Sequence, residues 1–142
     1  MSLLYEELSY KVRGCAMEVR KNYGPGHKED VYQNAFAEEL AYRNITFKKE
    51  DSIKIYSPKS GKVMGTYRPD FIVDDKIIVE LKAVTMISKN MVDRLYDYLR
   101  NSRYELGFLI NFGGNELYIK RIIYTNDRKP WFKKARVETE SV

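Results

Sequence analysis

The sequence predicts an α/β domain in which helices pack on a mixed β-sheet. Apolar residues recur at helical spacing over residues 3–43 and again over 88–101. The stretches between and after them alternate at strand spacing or run continuously apolar, and no repeat or low-complexity tract interrupts the order.

In chain order, Leu4, Leu8, Val12, Cys15 or Ala16, and Val19 mark one face of a first helix ending at YGPGH, where Gly24, Pro25 and Gly26 stop it. A second helix follows over roughly His27–Arg43. ITFKKEDSIKIYS reads as a strand, SPKSGK as a turn and VMGTYRPDFIV as a second strand. Lys76–Val84 is a third strand, so apolar that both of its faces must be covered. Ser88 is the expected N-cap of a helix reaching about Asn101, with Met91 or Val92, Leu95 and Leu99 as its buried stripe. ELGFLINFG and ELYIKRIIY supply two more strands, so the expected order is ααβββαββ, with a sheet of four to five strands. Residues 1–125 form the expected single domain, and 126–142 a basic, loosely packed C-terminal tail with Trp131 and Phe132 as anchors.

A chain of 142 residues fits one domain, which buries roughly two thirds of its unfolded surface. With 44% apolar and 32% charged residues, 8 Gly and 4 Pro, neither disorder nor a fibrous repeat is indicated. The 25 Lys and Arg against 20 Asp and Glu make a polyanion such as nucleic acid a reasonable partner. Cys15 is the single cysteine and sits on the apolar face of the first helix, so no disulfide framework exists. No apolar run approaches the roughly 18 residues that cross a bilayer, and Glu6 and Glu7 stand where a signal peptide would be hydrophobic. The expected location is cytoplasmic, without a membrane partner.

The segment YRPDFIVDDKIIVELKAV, residues 67–84, places charges inside this core. In the third strand Glu80 and Lys82 share a face with Ile78, about 7 Å apart, while Ile77, Val79 and Leu81 face the other way. Burying charge is costly unless it is paired or holds a metal. Asp70 reaches the same face only if the hairpin loop is odd in length or bulged. A two-residue turn at Asp74 and Asp75 places Asp70 opposite Val79; a three-residue loop pairs it with Ile78, beside Glu80. Pro69 is the expected point of distortion. Phosphodiester hydrolysis is the chemistry such a group would serve. Asp70 and Glu80, with the Leu81 carbonyl, would hold Mg2+ or Mn2+, and Lys82 would orient water or stabilise charge on the phosphate. The structural alternative is a salt bridge between Lys82 and the acids. In GHKEDVY, Glu29 lies on the face continued by Tyr32, Phe36 and Leu40, so it is either a further site carboxylate or a residue compensating the helix dipole. His27 has no metal-ligand partner and is read as a surface residue.

Together GHKEDVY at 26–32, PD at 69–70, ELK at 80–82 and LINFG at 109–113 resemble the GxxExxY family of the PD-(D/E)XK, or restriction-endonuclease-like, nuclease superfamily, over roughly Tyr5–Tyr124. The resemblance implies a three-layer α/β/α sandwich with Asp70 and Glu80 as metal ligands and Lys82 at the catalytic centre. Glu29 matches the acid supplied by the first core helix. Such proteins often carry a glutamine four residues before a tyrosine in the helix after the lysine; here Arg94 precedes Tyr98 at that spacing. Arg94 could contact a phosphate or pair with a site acid and signal lost catalysis. Arg94, Tyr98, Tyr32 and Arg68 are the candidates for touching nucleic acid or supporting the site. The expected function is a metal-dependent nuclease, with DNA favoured over RNA. The alternative is a catalytically weak or inactive nucleic-acid-binding protein that keeps the fold, and a third reading is a protein-interaction module. A homodimer is compatible with the sequence, and nothing in it requires one.

Overall fold

The computed structural model of the chain describes residues 3–135. Helix α1, Glu6–Tyr23, buries Val12, Cys15, Ala16 and Val19. It ends at Gly24, whose φ of 66° is open to glycine at little cost and whose N–H donates to the Arg20 carbonyl. Helix α2, Glu29–Tyr42, buries Tyr32, Ala35, Phe36 and Leu40. Apolar spacing thus locates both helices, with their starts trimmed by three and two residues.

Each of the first two expected strands is broken in two. Strand β1, Phe47–Lys49, is separated from β2, Ile53–Tyr56, by a turn that holds Glu50 at φ 54°. Strand β3, Val63–Tyr67, is separated from β4, Phe71–Val73, at Pro69, which has no N–H to offer a ladder. The outer halves pair with each other as a separate two-stranded hairpin, β2–β3, and the inner halves join the main sheet. With β5, Ile77–Lys82, helix α3, Lys89–Arg100, β6, Leu106–Asn111, and β7, Tyr118–Ile123, the order becomes ααβββββαββ. Ser88 caps α3 as expected, its hydroxyl accepting from the Met91 N–H at 3.3 Å.

The five-stranded sheet runs β1-β4-β5-β6-β7. Strands β5 and β6 are parallel, and α3 provides the crossover such a pair requires. One face carries Phe71, Val73, Ile77, Val79 and Leu81 against Val12, Ala16 and Phe36 of the first two helices. The other carries Ile72, Ile78, Leu109 and Ile122 against Leu95 and Leu99 of α3. Opposite helical layers on a mixed sheet give the expected three-layer sandwich, and β5 alternates between the layers as its sequence requires.

Residues 126–135 are anchored by Trp131 as expected, but they pack more closely than a loose tail. Trp131 is fully buried, stacks on Tyr56 at 4.5 Å and donates its indole N–H to the Arg100 carbonyl at 2.9 Å. Lys129 is buried beside it and donates to the carbonyls of Ser102 and Tyr104. The large apolar area of an indole outweighs the polar character of the surrounding sequence. The rest of the expected tail, 136–142, lies outside the described residues.

Candidate active site

The LINFG segment fixes the end of β5. The Asn111 side chain, almost fully buried, accepts from the Val84 N–H at 3.0 Å and donates to the Val84 carbonyl at 2.8 Å. A Cβ on Gly113 would lie 2.6 Å from the main chain of Ala83 and Val84, so glycine is required there. Tyr32 of α2 stacks on Phe112 at 4.7 Å and its hydroxyl donates to the Gly24 carbonyl at 2.6 Å. Tyr32 is completely buried. It therefore supports the α1–α2 turn from inside, so of its two expected roles, touching nucleic acid or supporting the site, burial removes the first.

Between β4 and β5 the loop is three residues long, 74–76, with Asp74 and Asp75 at φ 51° and 52° and the Lys76 N–H donating to the Val73 carbonyl. The odd loop length is as expected, but the register is shifted. Phe71 pairs with Val79 and Val73 with Ile77, so one residue further Asp70 falls opposite Glu80 itself instead of Ile78. The same-face requirement is met either way, because a shift of two residues preserves the alternation.

The two carboxylates are cross-tied through the main chain. The Leu81 N–H donates to Asp70 Oδ2 at 2.7 Å, and the Asp70 N–H donates to Glu80 Oε1 at 3.0 Å. Tyr67 Oη also donates to Glu80 Oε1. Gln33 Nε2 reaches Asp70 Oδ1 at 3.1 Å and Glu29 Oε1 at 3.5 Å, bridging α2 to the site. Glu29 thus approaches Asp70 through Gln33 without joining it. Among the described residues no three His, Cys, Asp or Glu side chains gather as an ion-holding group.

Electrostatics follow from this crowding. Burial, then the charge of Asp70, pushes the Glu80 carboxyl up to about 7, against the opposing effects of Tyr67, the Asp70 N–H and Lys82. Burial also raises Asp70, with Glu29 and Glu50 adding to the rise and the Leu81 N–H and Lys82 opposing it. The Tyr67 phenol is driven up by burial and by Glu80, so it remains a proton donor. Lys82 acts on both acids at a distance, and among the described residues it forms no ion pair with either. The silent salt bridge is therefore not what this strand builds.

Glu80 and Lys82 face a narrow cleft of about 80 Å³ beneath α3, bordered by Tyr67, Arg94 and Tyr98. Tyr67 and Tyr98 stack with ring centres 3.5 Å apart and planes 9° from parallel. Arg94 is exposed at the rim and pairs with no acid among the described residues. Arg68 is exposed next to Pro69.

The donor chemistry fits a hard divalent cation. Two carboxylates, Glu80 on β5 and Asp70 immediately before β4, converge, and Glu80 Oε2 takes none of the bonds above. Their raised proton affinity is also what an uncompensated pair of buried acids should show.

The pattern that describes the PD-(D/E)XK nuclease superfamily matches residues 6–122, spanning all three α-helices, nearly all of the sheet and this cleft. The chain belongs to that superfamily. Among solved structures, this PD-(D/E)XK chain is similar to the crystal structure of SSO0001, with a TM-score of 0.54 and 19% identity, covering 79% of this chain and 57% of that one. It therefore spans little more than half the length of that protein, and the likeness is one of fold. An alkaline exonuclease from Laribacter hongkongensis, LHK-Exo, aligns over 99% of this chain and 83% of its own, at 10% identity and a TM-score of 0.49. No curated protein matches. No helix among the described residues is long and apolar enough to cross a membrane.

Gln33 and Tyr67 were not singled out by the sequence. Gln33 could have been, since it stands four residues after Glu29 on the same helical face. Tyr67 carried no signal, because its bond to Glu80 depends on how the chain bends at Pro69.

Proposed function

We propose that the chain is a metal-dependent nuclease that hydrolyses phosphodiester bonds, with DNA the favoured substrate, and that it belongs within the superfamily to the GxxExxY group. The observation that carries this reading is the convergence of Asp70, just before β4, on Glu80 of β5 through the cross-tying main-chain bonds, with Lys82 on the same face of β5 and both Glu80 and Lys82 lining the cleft. A bound Mg2+ or Mn2+ would polarise the scissile phosphate and acidify a water. Asp70 and Glu80, with the Leu81 carbonyl, would hold it. Lys82, free of ion pairs among the described residues, would orient the attacking water and offset charge on the phosphate oxygens. Gln33 and Glu29 would hold Asp70 in place from α2. Arg94 at the rim suits a phosphate contact, and Tyr98, stacked on Tyr67, would form the wall against which the substrate lies. Arg68 extends the positive rim.

A second reading, a nucleic-acid-binding protein with little or no turnover, is favoured by two features. Glu80 Oε1 is doubly engaged by Tyr67 and the Asp70 N–H, and Arg94 replaces the glutamine that the family resemblance leads one to expect. The test is cleavage of DNA and RNA with Mg2+, Mn2+ or EDTA by the wild type, Asp70→Ala and Lys82→Ala. Metal-dependent cutting lost in both variants supports the nuclease. Binding with equal background cutting by all three would leave only the second reading.

A further inference from the structure

The β2–β3 hairpin stands apart from the main sheet and is unusually one-sided in charge. From Ser52 to Pro69 the chain carries Lys54, Lys59, Lys62 and Arg68 and no Asp or Glu. All four are exposed, and among the described residues none enters an ion pair, although five other basic side chains do. Val63 and Met64 on β3 are 49% and 63% exposed, so the strand shows an apolar edge between cations.

The hairpin is rigidly seated. Ile53 packs in the α3-side core, and Tyr56 stacks on Trp131. Gly61, at φ 76°, backs so closely onto the C-terminal segment that a Cβ there would meet Lys134 Cβ at 2.8 Å. Lys134 Nζ donates to the Lys59 carbonyl at 2.8 Å. Cations on a fixed frame lose little entropy on binding a polyanion. The hairpin also feeds directly into the cleft, since Tyr67 closes β3 and bonds Glu80.

We infer that the β2–β3 hairpin is a nucleic-acid clamp, whose lysines track the phosphate backbone and deliver the strand past Tyr67 to Asp70 and Glu80. The inference rests on the nuclease reading above and adds the surface that holds the substrate. A second copy paired antiparallel on the open edge of β3 is disfavoured by Lys62 and Arg68, which flank the strand at its two ends and would meet the same cations of that copy.

The test is binding of a fluorescein-labelled oligonucleotide, single-stranded and as a duplex, in EDTA across a salt series. The wild type is compared with Lys54→Ala/Lys62→Ala and with a charge-matched control on α1, Lys11→Ala/Lys21→Ala. The hairpin variant should bind about tenfold more weakly, with a log affinity against log salt slope shallower by about one to two, while the control stays close to wild type. Equal weakening in both variants would mean that net charge alone acts and would overturn the clamp. A concentration-dependent dimer abolished by Met64→Asp would also overturn it, by assigning the edge to a second copy. If the wild type cuts with metal but the hairpin variant binds and cuts normally, only the clamp falls. If the wild type neither binds nor cuts, the nuclease reading falls with it.

Discussion

Replacing Glu80 by Gln removes one charge from a pair that burial makes costly, while keeping an amide oxygen where Tyr67 and the Asp70 N–H donate. The Glu80 carboxyl rises from 4.5 when unperturbed to about 7 in the fold. Between those values the folded chain holds a proton that the unfolded chain has released. Stability therefore falls as pH rises through this window, and the full loss is reached above it. At roughly 1.4 kcal/mol per unit, the shift corresponds to about 3 kcal/mol, less whatever Asp70 recovers by ionising more readily beside a neutral neighbour. In EDTA, urea unfolding should show Glu80→Gln more stable than wild type by about 2–3 kcal/mol near pH 8, and by a small fraction of that near pH 4.5. Mg2+ should restore much of the difference to the wild type and do little for the variant, because only the intact pair gains from the cation. An identical stability difference at both pH values would refute the account of Glu80 as a carboxylate strained by burial and by Asp70.

Gly113→Ala should cost about 1–3 kcal/mol in unfolding experiments, because its Cβ meets main chain that cannot rotate away, and it should weaken Mg2+-induced stabilisation by displacing the end of β5. Trp131→Ala should cost about 3–5 kcal/mol by denaturant unfolding; a loss near zero would mean that residues 126–135 do not belong to the cooperative unit. Burial holds the Lys129 amine down to about 8 from 10.5, so the unfolded chain binds more protons between these values and stability should rise as pH climbs from about 8 toward 10. Lys129→Met should abolish that rise while costing about 1–3 kcal/mol for the carbonyls it leaves unpaired, and a pH slope unchanged from wild type would refute it.

What the sequence determined by itself was the set of helices, the two-faced character of β5 and the identity of the charged residues in it. These depend on local periodicity, and a strand period of two leaves no freedom about which side Glu80 and Lys82 take once Ile77, Val79 and Leu81 are buried. Parity also required an odd connection before Asp70 could meet them, and the loop at 74–76 provides it. The tertiary structure alone decided where the long alternating stretches break, because the turn at Glu50 and the bend at Pro69 are settled by which half-strand finds a partner in the sheet. That choice detached the β2–β3 hairpin, brought Tyr67 onto Glu80 and seated Trp131 under Tyr56. It also placed Gln33 between Glu29 and Asp70. Contacts between residues tens of positions apart leave no period in the sequence, so the charged strand was legible in advance and the residues that hold its charges were not.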